Sequence, residues 1–163
     1  MKINKNHAYA HSTASVFSLF TDADEIKTKQ KALGARNIRI LSCKKNANGA
    51  TVRFVRELPA EVPGILKRFL QPWNQVVQAE EWHVCDDGIC RSALSIDISN
   101  VPVDVSGTLT LKPTDGGCVN QVRLTIDCGI PFVGKALAEF VAADCERLVA
   151  AEYDYIRKRL GPA

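Results

Sequence analysis

The sequence predicts an α+β protein in which a curved, seven-stranded antiparallel sheet surrounds one long C-terminal helix, with two short helices after the first strand. Two observations predict this fold class. Runs of alternating apolar and polar residues recur between glycine-containing turns, and such period-two runs are typical of a sheet that is covered on one face. The only long stretch with helical apolar spacing comes last, at about residues 132–160.

The N-terminal part contains a strand and then the two short helices. The strand-like run "INKNHAYAH" ends at Ser12 and Thr13, and both residue types cap helix N-termini. The segments "ASVFSLFTD" and "ADEIKTKQKAL" follow. We expect the second segment to end at Gly34, because glycine commonly stops a helix.

Six further strands are predicted in hairpin succession. The turn signals are "NANG" at 46–49, "DDG" at 86–88 and "TDGG" at 114–117, and each separates two β-like runs. A different kind of connection lies at 59–72, where "PAEVPGILKRFLQP" carries prolines at its edges. We interpret that segment either as a mobile lid over a pocket or as a fixed cover on the sheet.

The final helix is the only predicted element long enough to cover the sheet. At 1.5 Å per residue its length is on the order of 40 Å. Its apolar stripe and the apolar face of the sheet must therefore meet. The space between a curved sheet and a straight helix holds either side chains or a ligand.

Length and composition exclude several classes of protein. The 163 residues predict a single domain, 1–163. A net charge of +3, with 46% hydrophobic residues, is too mild for a nucleic-acid-binding surface. No signal peptide or membrane-spanning run is recognisable, so we expect a cytoplasmic protein without integral membrane association. The oligomeric state stays open.

The cysteines do not predict a metal site. None of the six forms a C-x-x-C pair or a Cys/His cluster, and we expect neither a metal nor a cofactor. Cys85 and Cys90 flank the turn at Asp87 and Gly88, which would place them opposite each other. They are either a disulfide or, as a reducing compartment favours, two free thiols.

Six stretches carry a resemblance to a known superfamily. They are "ASVFSLFTDADEIKTKQKALGA", "VRELPAEVPGILKRFL", "AEEW", "VPVDVSGTLTLKPTDGG", "GIPFVGKALAEFV" and "AAEYDYIRKRL". By these stretches and by the order of its predicted elements, the chain resembles the START-like (SRPBCC) superfamily. The fold of that superfamily is the helix-grip fold of START and Bet v 1. Within it, the chain is similar to an uncharacterised bacterial family known only as a domain of unknown function.

The resemblance implies an internal cavity and leaves the chemistry open. Members of the superfamily bind lipids, sterols, polyketides and plant hormones; others are cyclases, aromatases, hydroxylase subunits or chaperone activators. None of the matching motifs is catalytic, so the resemblance supplies no active site.

Asp144 is the most unusual residue of the long helix. At about 100° per residue it lies in the apolar stripe, and a lone buried carboxylate is costly. It could face a ligand, pair with a sheet residue such as Arg56, or be exposed by a rotation of the helix. The helix residues that we expect to line the cavity are Leu137, Phe140, Val141, Asp144, Leu148 and Tyr155.

The strands supply the opposite wall of the predicted cavity. Glu80 and Trp82 share one face of a strand, and Arg56 interrupts another apolar face. Glu80 and Trp82 could line the pocket or belong to a strand end and to the core. The sheet residues expected at the ligand are Phe54, Arg56, Trp82, Leu94 and Ile96.

The sequence therefore predicts binding, transport or sensing of a small hydrophobic molecule, such as a lipid or a polyketide, in an internal cavity. One alternative is an enzyme, similar to a polyketide cyclase, an aromatase or a hydrolase, with Asp144 or Glu80 as general acid or base. Another alternative is a protein-interaction module whose cavity is filled by its own side chains. The absence of a recognisable catalytic constellation favours binding.

Overall fold

The chain forms one seven-stranded sheet, two short helices and a long helix. The computed structural model describes residues 1–163. The elements are, in chain order, β1 (Lys2–Tyr9), α1 (Thr13–Thr21), α2 (Ala23–Ala32), β2 (Arg36–Asn46), β3 (Gly49–Pro59), a 3-10 turn (Gly64–Leu66), β4 (Trp73–Val84), β5 (Cys90–Ile98), β6 (Asp104–Thr114), β7 (Gly117–Asp127) and α3 (Gly134–Leu160).

All neighbouring strands are antiparallel, in the order β1-β7-β6-β5-β4-β3-β2. β1 and β2 are the two edges, so α1 and α2 connect one edge of the sheet to the other. The predicted fold class is confirmed. α3 begins later than expected, because Phe132 has φ 68° and this left-handed backbone does not continue a helix.

Local side chains define both short helices. Ser12 caps α1 by accepting a hydrogen bond of 3.2 Å from the Ser15 N–H, and Asp22 caps α2 by accepting one of 3.0 Å from the Glu25 N–H. α2 has acidic residues in its first turn and lysines in its last turn, which complements the helix dipole. Gly34, with φ +95°, ends the helical segment as the sequence predicts.

α3 lies along the concave face of the sheet. Its fully buried side chains include Leu137 and Ile156, both 0% exposed. The C-terminal half is also held by polar contacts. The Tyr153 hydroxyl donates to the Ala8 carbonyl oxygen over 2.8 Å, and Arg159 pairs with Glu25 of α2 at 2.6 Å. The position of this half relative to β1 and α2 is therefore fixed. No helix combines the length and the apolarity that crossing a membrane requires.

Cys85 and Cys90 are free thiols. The residue opposite Cys90 is Val84, so the expected direct opposition of the two cysteines is wrong. The turn is longer than the two residues that the sequence suggested, because the Cys85 N–H bonds the Ile89 carbonyl oxygen at 2.9 Å.

Gly107 provides a test of the strand packing. A Cβ atom there would lie 1.9 Å from the Arg123 carbonyl oxygen, so the backbones of β6 and β7 would have to separate. We expect Gly107→Ala to lower the free energy of unfolding by about 1–3 kcal/mol, measured by urea denaturation. Gly116→Ala is the control, because a Cβ atom at that turn residue meets no heavy atom within 4 Å. Equal denaturation midpoints for the two variants would contradict this account.

Candidate functional site

Two adjoining chambers lie between α3 and the concave face of the sheet. Both are lined by Arg56, Ile96, Cys145 and Leu148, so these four side chains form the junction between the chambers. The chamber beside α1 and α2, which we call the inner chamber, has a volume of about 70 Å³. The other one, which we call the outer chamber, has a volume of about 60 Å³. Neither chamber is fully enclosed.

The inner chamber is apolar apart from one group of polar side chains. These are Gln30, Arg56, Gln78 and Glu152. The remaining lining residues are Phe20, Leu33, Leu94, Ile96, Leu109, Val122, Leu124, Cys145, Leu148 and Val149. Glu152 forms an ion pair of 2.9 Å with Lys29, which is itself only 3% exposed. Its charge is thus balanced within the protein.

The outer chamber leads toward the surface. Besides the junction residues, it is lined by Leu58, Pro59, Ala60, Leu70, Asn74, Val76, Ile98, Val105, Phe140, Val141 and Asp144. A wider recess of about 540 Å³ adjoins it and shares Pro59, Ala60, Phe140 and Asp144 with it. We call this recess the mouth. It is bounded on one side by α3 and on the other by the start of the segment 59–72, which we call the strap.

Asp144 lies at the mouth and is not a fully buried carboxylate. Its side chain is 32% exposed, and Oδ1 accepts hydrogen bonds of 2.7 and 3.2 Å from Arg147. The alternative in which Asp144 pairs with Arg56 is therefore wrong. Asp144 lies at the edge of the apolar stripe, where α3 borders the mouth beside the strap.

A polar network crosses the concave face at the junction. Arg56 Nη2 donates to Gln78 Oε1 over 2.9 Å, and Gln78 Nε2 donates to Glu80 Oε2 over 2.6 Å. Trp82 Nε1 donates to the other Glu80 oxygen over 2.9 Å. Alternate residues of β4 therefore hold Arg56 on β3 through a chain of hydrogen bonds.

Glu80 is the anchor of this network and has no direct access to the chambers, whose linings do not include it. It is 3% exposed. Burial raises the pKa of its carboxyl group, while the charge of Lys29 and the hydrogen bonds from Trp82 and Gln78 act in the opposite direction. Its oxygens are occupied as acceptors, so it orients Gln78 and does not meet a ligand.

Arg56 is the one member of the network that faces both chambers. It is 5% exposed, and its Nε and Nη1 atoms have no hydrogen-bond partner. Desolvation lowers the pKa of the guanidinium to about 10, so it is still charged at neutral pH. The neighbouring Cys145 thiol has a pKa that burial raises to about 11, and it is a neutral side chain at the same pH.

The structure brings together most of the residues expected to line a cavity. Phe140, Val141, Asp144, Leu148, Arg56, Leu94 and Ile96 line the chambers. Four others lie elsewhere: Leu137, Phe54, Trp82 and Tyr155 do not contact either chamber. The Trp82 ring instead packs against Phe17 and Phe20, each with ring centres 5.5 Å away.

The sequence reasoning missed many of the lining residues, and the sequence contains a signal that could have found three of them. Gln78 has the same strand parity as Glu80 and Trp82, and that signal could have placed it on the concave face. Cys145 and Glu152 follow Val141 and Leu148 by four residues each, the spacing that keeps side chains on one face of a helix. No cluster of three His, Cys, Asp or Glu side chains in the protein could hold a metal ion.

One curated relative is similar to this chain in sequence over part of its length. An uncharacterised protein of Mycobacterium tuberculosis, Rv0481c, is 28% identical over 104 residues, which cover 63% of this chain and 59% of that protein. The chain thus matches less than two thirds of the length of this curated relative.

Two solved structures have the same fold. The TTHA0849 protein of Thermus thermophilus has a TM-score of 0.68 at 15% identity, over 98% of this chain and 96% of that chain. A STAR-related lipid transfer protein from Xanthomonas axonopodis has a TM-score of 0.62 at 13% identity, over 96% and 85% of the two chains. At such identities the likeness extends to the fold alone, which is the START-like helix-grip fold.

The family model described as "Protein of unknown function (DUF2505)" matches residues 4–160. This match covers most of β1 and all of the later elements through the end of α3. The chain belongs to the DUF2505 family.

Proposed function

We propose that the protein binds a small, mostly apolar molecule in the two chambers between α3 and the sheet. The observation that carries this proposal is the pair of adjoining apolar chambers that connect with a mouth at the surface. Ligand sites are typically concave and mostly apolar, with a few placed polar groups. Arg56 and Gln78 are such groups here, and the helix-grip fold supports the same interpretation.

The size of the chambers restricts the ligand or requires the walls to move. Volumes of about 70 and 60 Å³ are small beside the pockets of about 300–1,000 Å³ that take drug-sized ligands. A lipid or a polyketide would thus have to displace part of the wall. The strap is suited to this, because its only regular structure is the 3-10 turn Gly64–Leu66 and Ile65 is 64% exposed.

Binding is favoured over catalysis by the positions of the two candidate carboxylates. Glu80 lies behind Gln78 and accepts hydrogen bonds from Gln78 and Trp82, and Asp144 is paired with Arg147 at the mouth. Neither is a free acid or base beside the chambers. A protein-interaction module with a filled interior would need no buried guanidinium at an internal junction, so we keep ligand binding as the proposed function.

Filling the junction tests where the ligand binds. Cys145 lines both chambers, so Cys145→Leu places extra methyl groups in the space that a ligand would occupy. We expect isothermal titration calorimetry with straight-chain alcohols of six to fourteen carbons to detect binding to the wild-type protein and at least about tenfold weaker binding to the variant, since each buried CH₂ contributes about 0.8 kcal/mol.

The matched control for this substitution is Ala150→Leu, on the exposed face of α3, which should bind as the wild type does. Retained binding in Cys145→Leu would place the ligand outside the chambers. A wild-type protein that binds neither these alcohols nor the carboxylates of the same chain lengths would contradict the proposed function itself.

The strap offers a second test, because Lys67 and Arg68 are exposed and lie directly after the 3-10 turn. If the strap opens to admit ligand, trypsin should cut first after these two residues, and a bound alcohol should slow that cut several-fold. Mass spectrometry of timed digests measures both effects. The double variant Lys67→Gln/Arg68→Gln should lose the early cut. A cleavage rate that ligand does not change would show that the strap is a fixed cover.

A further inference from the structure

The guanidinium of Arg56 has more donors than the protein satisfies. An arginine side chain offers five N–H hydrogens, and the only partner of this one is Gln78 Oε1, at 2.9 Å from Nη2. The Nε hydrogen and both Nη1 hydrogens have no acceptor. Buried donors without a partner are rare because leaving them unpaired is costly, so an acceptor from outside the chain would complete this site.

No negatively charged side chain contacts Arg56 and balances its charge. None of the ion pairs of the protein involves it. Glu80 is separated from it by Gln78, and Glu152 is paired with Lys29 at 2.9 Å. These two carboxylates act on the guanidinium without contacting it, and a buried cation that no anion contacts favours an anion over a neutral acceptor.

The position of the guanidinium is fixed and accessible from both chambers. Gln78 holds one end of it, and the Phe54 ring lies against it with 4.9 Å between the ring centre and Cζ. Since Arg56 lines both the inner and the outer chamber, a ligand in either one can reach it. A fixed planar guanidinium is the side chain best suited to a carboxylate, which it can bind through two parallel hydrogen bonds.

We infer that the molecule bound in the chambers is an apolar carboxylic acid whose carboxylate pairs with Arg56 at the junction. This inference rests on the proposed function and names the chemical class of its ligand. The apolar part extends through the outer chamber toward the mouth, past Leu58, Val105 and Phe140. Glu80 acts as a positioning residue, because it orients the guanidinium through Gln78 and lines neither chamber.

Matched ligands test the inference directly. Isothermal titration calorimetry compares straight-chain carboxylates with the alcohols of equal length, from six to fourteen carbons, on the wild type, Arg56→Met and Arg53→Met. We expect the wild type to prefer the carboxylates by at least about tenfold, as a charge-assisted pair implies. Arg56→Met should lose that preference and retain alcohol binding. Arg53 is on the same strand and exposed, so Arg53→Met should behave as the wild type.

The outcomes separate the inference from the proposed function. Equal affinity for carboxylates and alcohols in the wild type would overturn the inference and leave the proposed function intact. Absence of binding for both series would overturn both. A preference that persists in Arg56→Met would assign the anion to another group and overturn the inference as well.

A second measurement keeps the inference testable if Arg56→Met does not fold. Carboxyl-¹³C-labelled decanoate bound to the wild-type protein should keep the chemical shift of the ionised form at pH values where the free acid is already protonated, because the guanidinium stabilises the carboxylate. A bound ligand that titrates at the pH of the free acid or above it would show that no cation faces the carboxyl group.

Discussion

The packing of α3 across the concave face of the sheet is the constraint on which the rest of the structure depends. Its first turns bury Leu137 and Val141, and its last turns are tied to β1 and α2 through Tyr153 and Arg159. Between these two regions, Cys145 and Leu148 face the chambers. A straight helix cannot fill the hollow of a curved sheet along its whole length, and the chambers lie where the helix and the sheet diverge.

Most of the architecture and part of the site could be predicted from the sequence, because alternation, caps and helical periodicity are short-range signals. Periodicity gives the angle of a side chain around a helix and not the depth at which the helix is covered. Asp144 consequently lies beside the strap with Arg147 as its partner. The bridging role of Gln78 and the pairing of Val84 with Cys90 depend on contacts between two strands, which no single run of the sequence contains.

Burying the network of Arg56, Gln78, Glu80 and Trp82 carries a desolvation penalty, because two of its members are ionisable. Replacing buried ionic groups by apolar residues of similar volume is often neutral or stabilising, so a fold that needed only a packed core would not require this arrangement. Natural proteins depart from simple core packing mainly at functional sites. A ligand anion at Arg56 would accept hydrogen bonds from the unpaired donors and would also balance the buried charge. Binding of such a ligand would therefore offset the desolvation of this side chain.

Two parts of the cavity wall, α3 and the strap, differ in the free energy that their displacement would require. Displacing α3 would break the Tyr153–Ala8 hydrogen bond and the Arg159–Glu25 ion pair and would expose Leu137 and Ile156, which are fully buried. Displacing the strap would expose mainly Leu66 and Leu70, since Ile65 already faces solvent. Because less apolar surface would be exposed, opening of the strap would have the lower free-energy cost. Entry through the mouth would then leave Arg56 in place, with its position set by β3 and β4 before any ligand arrives.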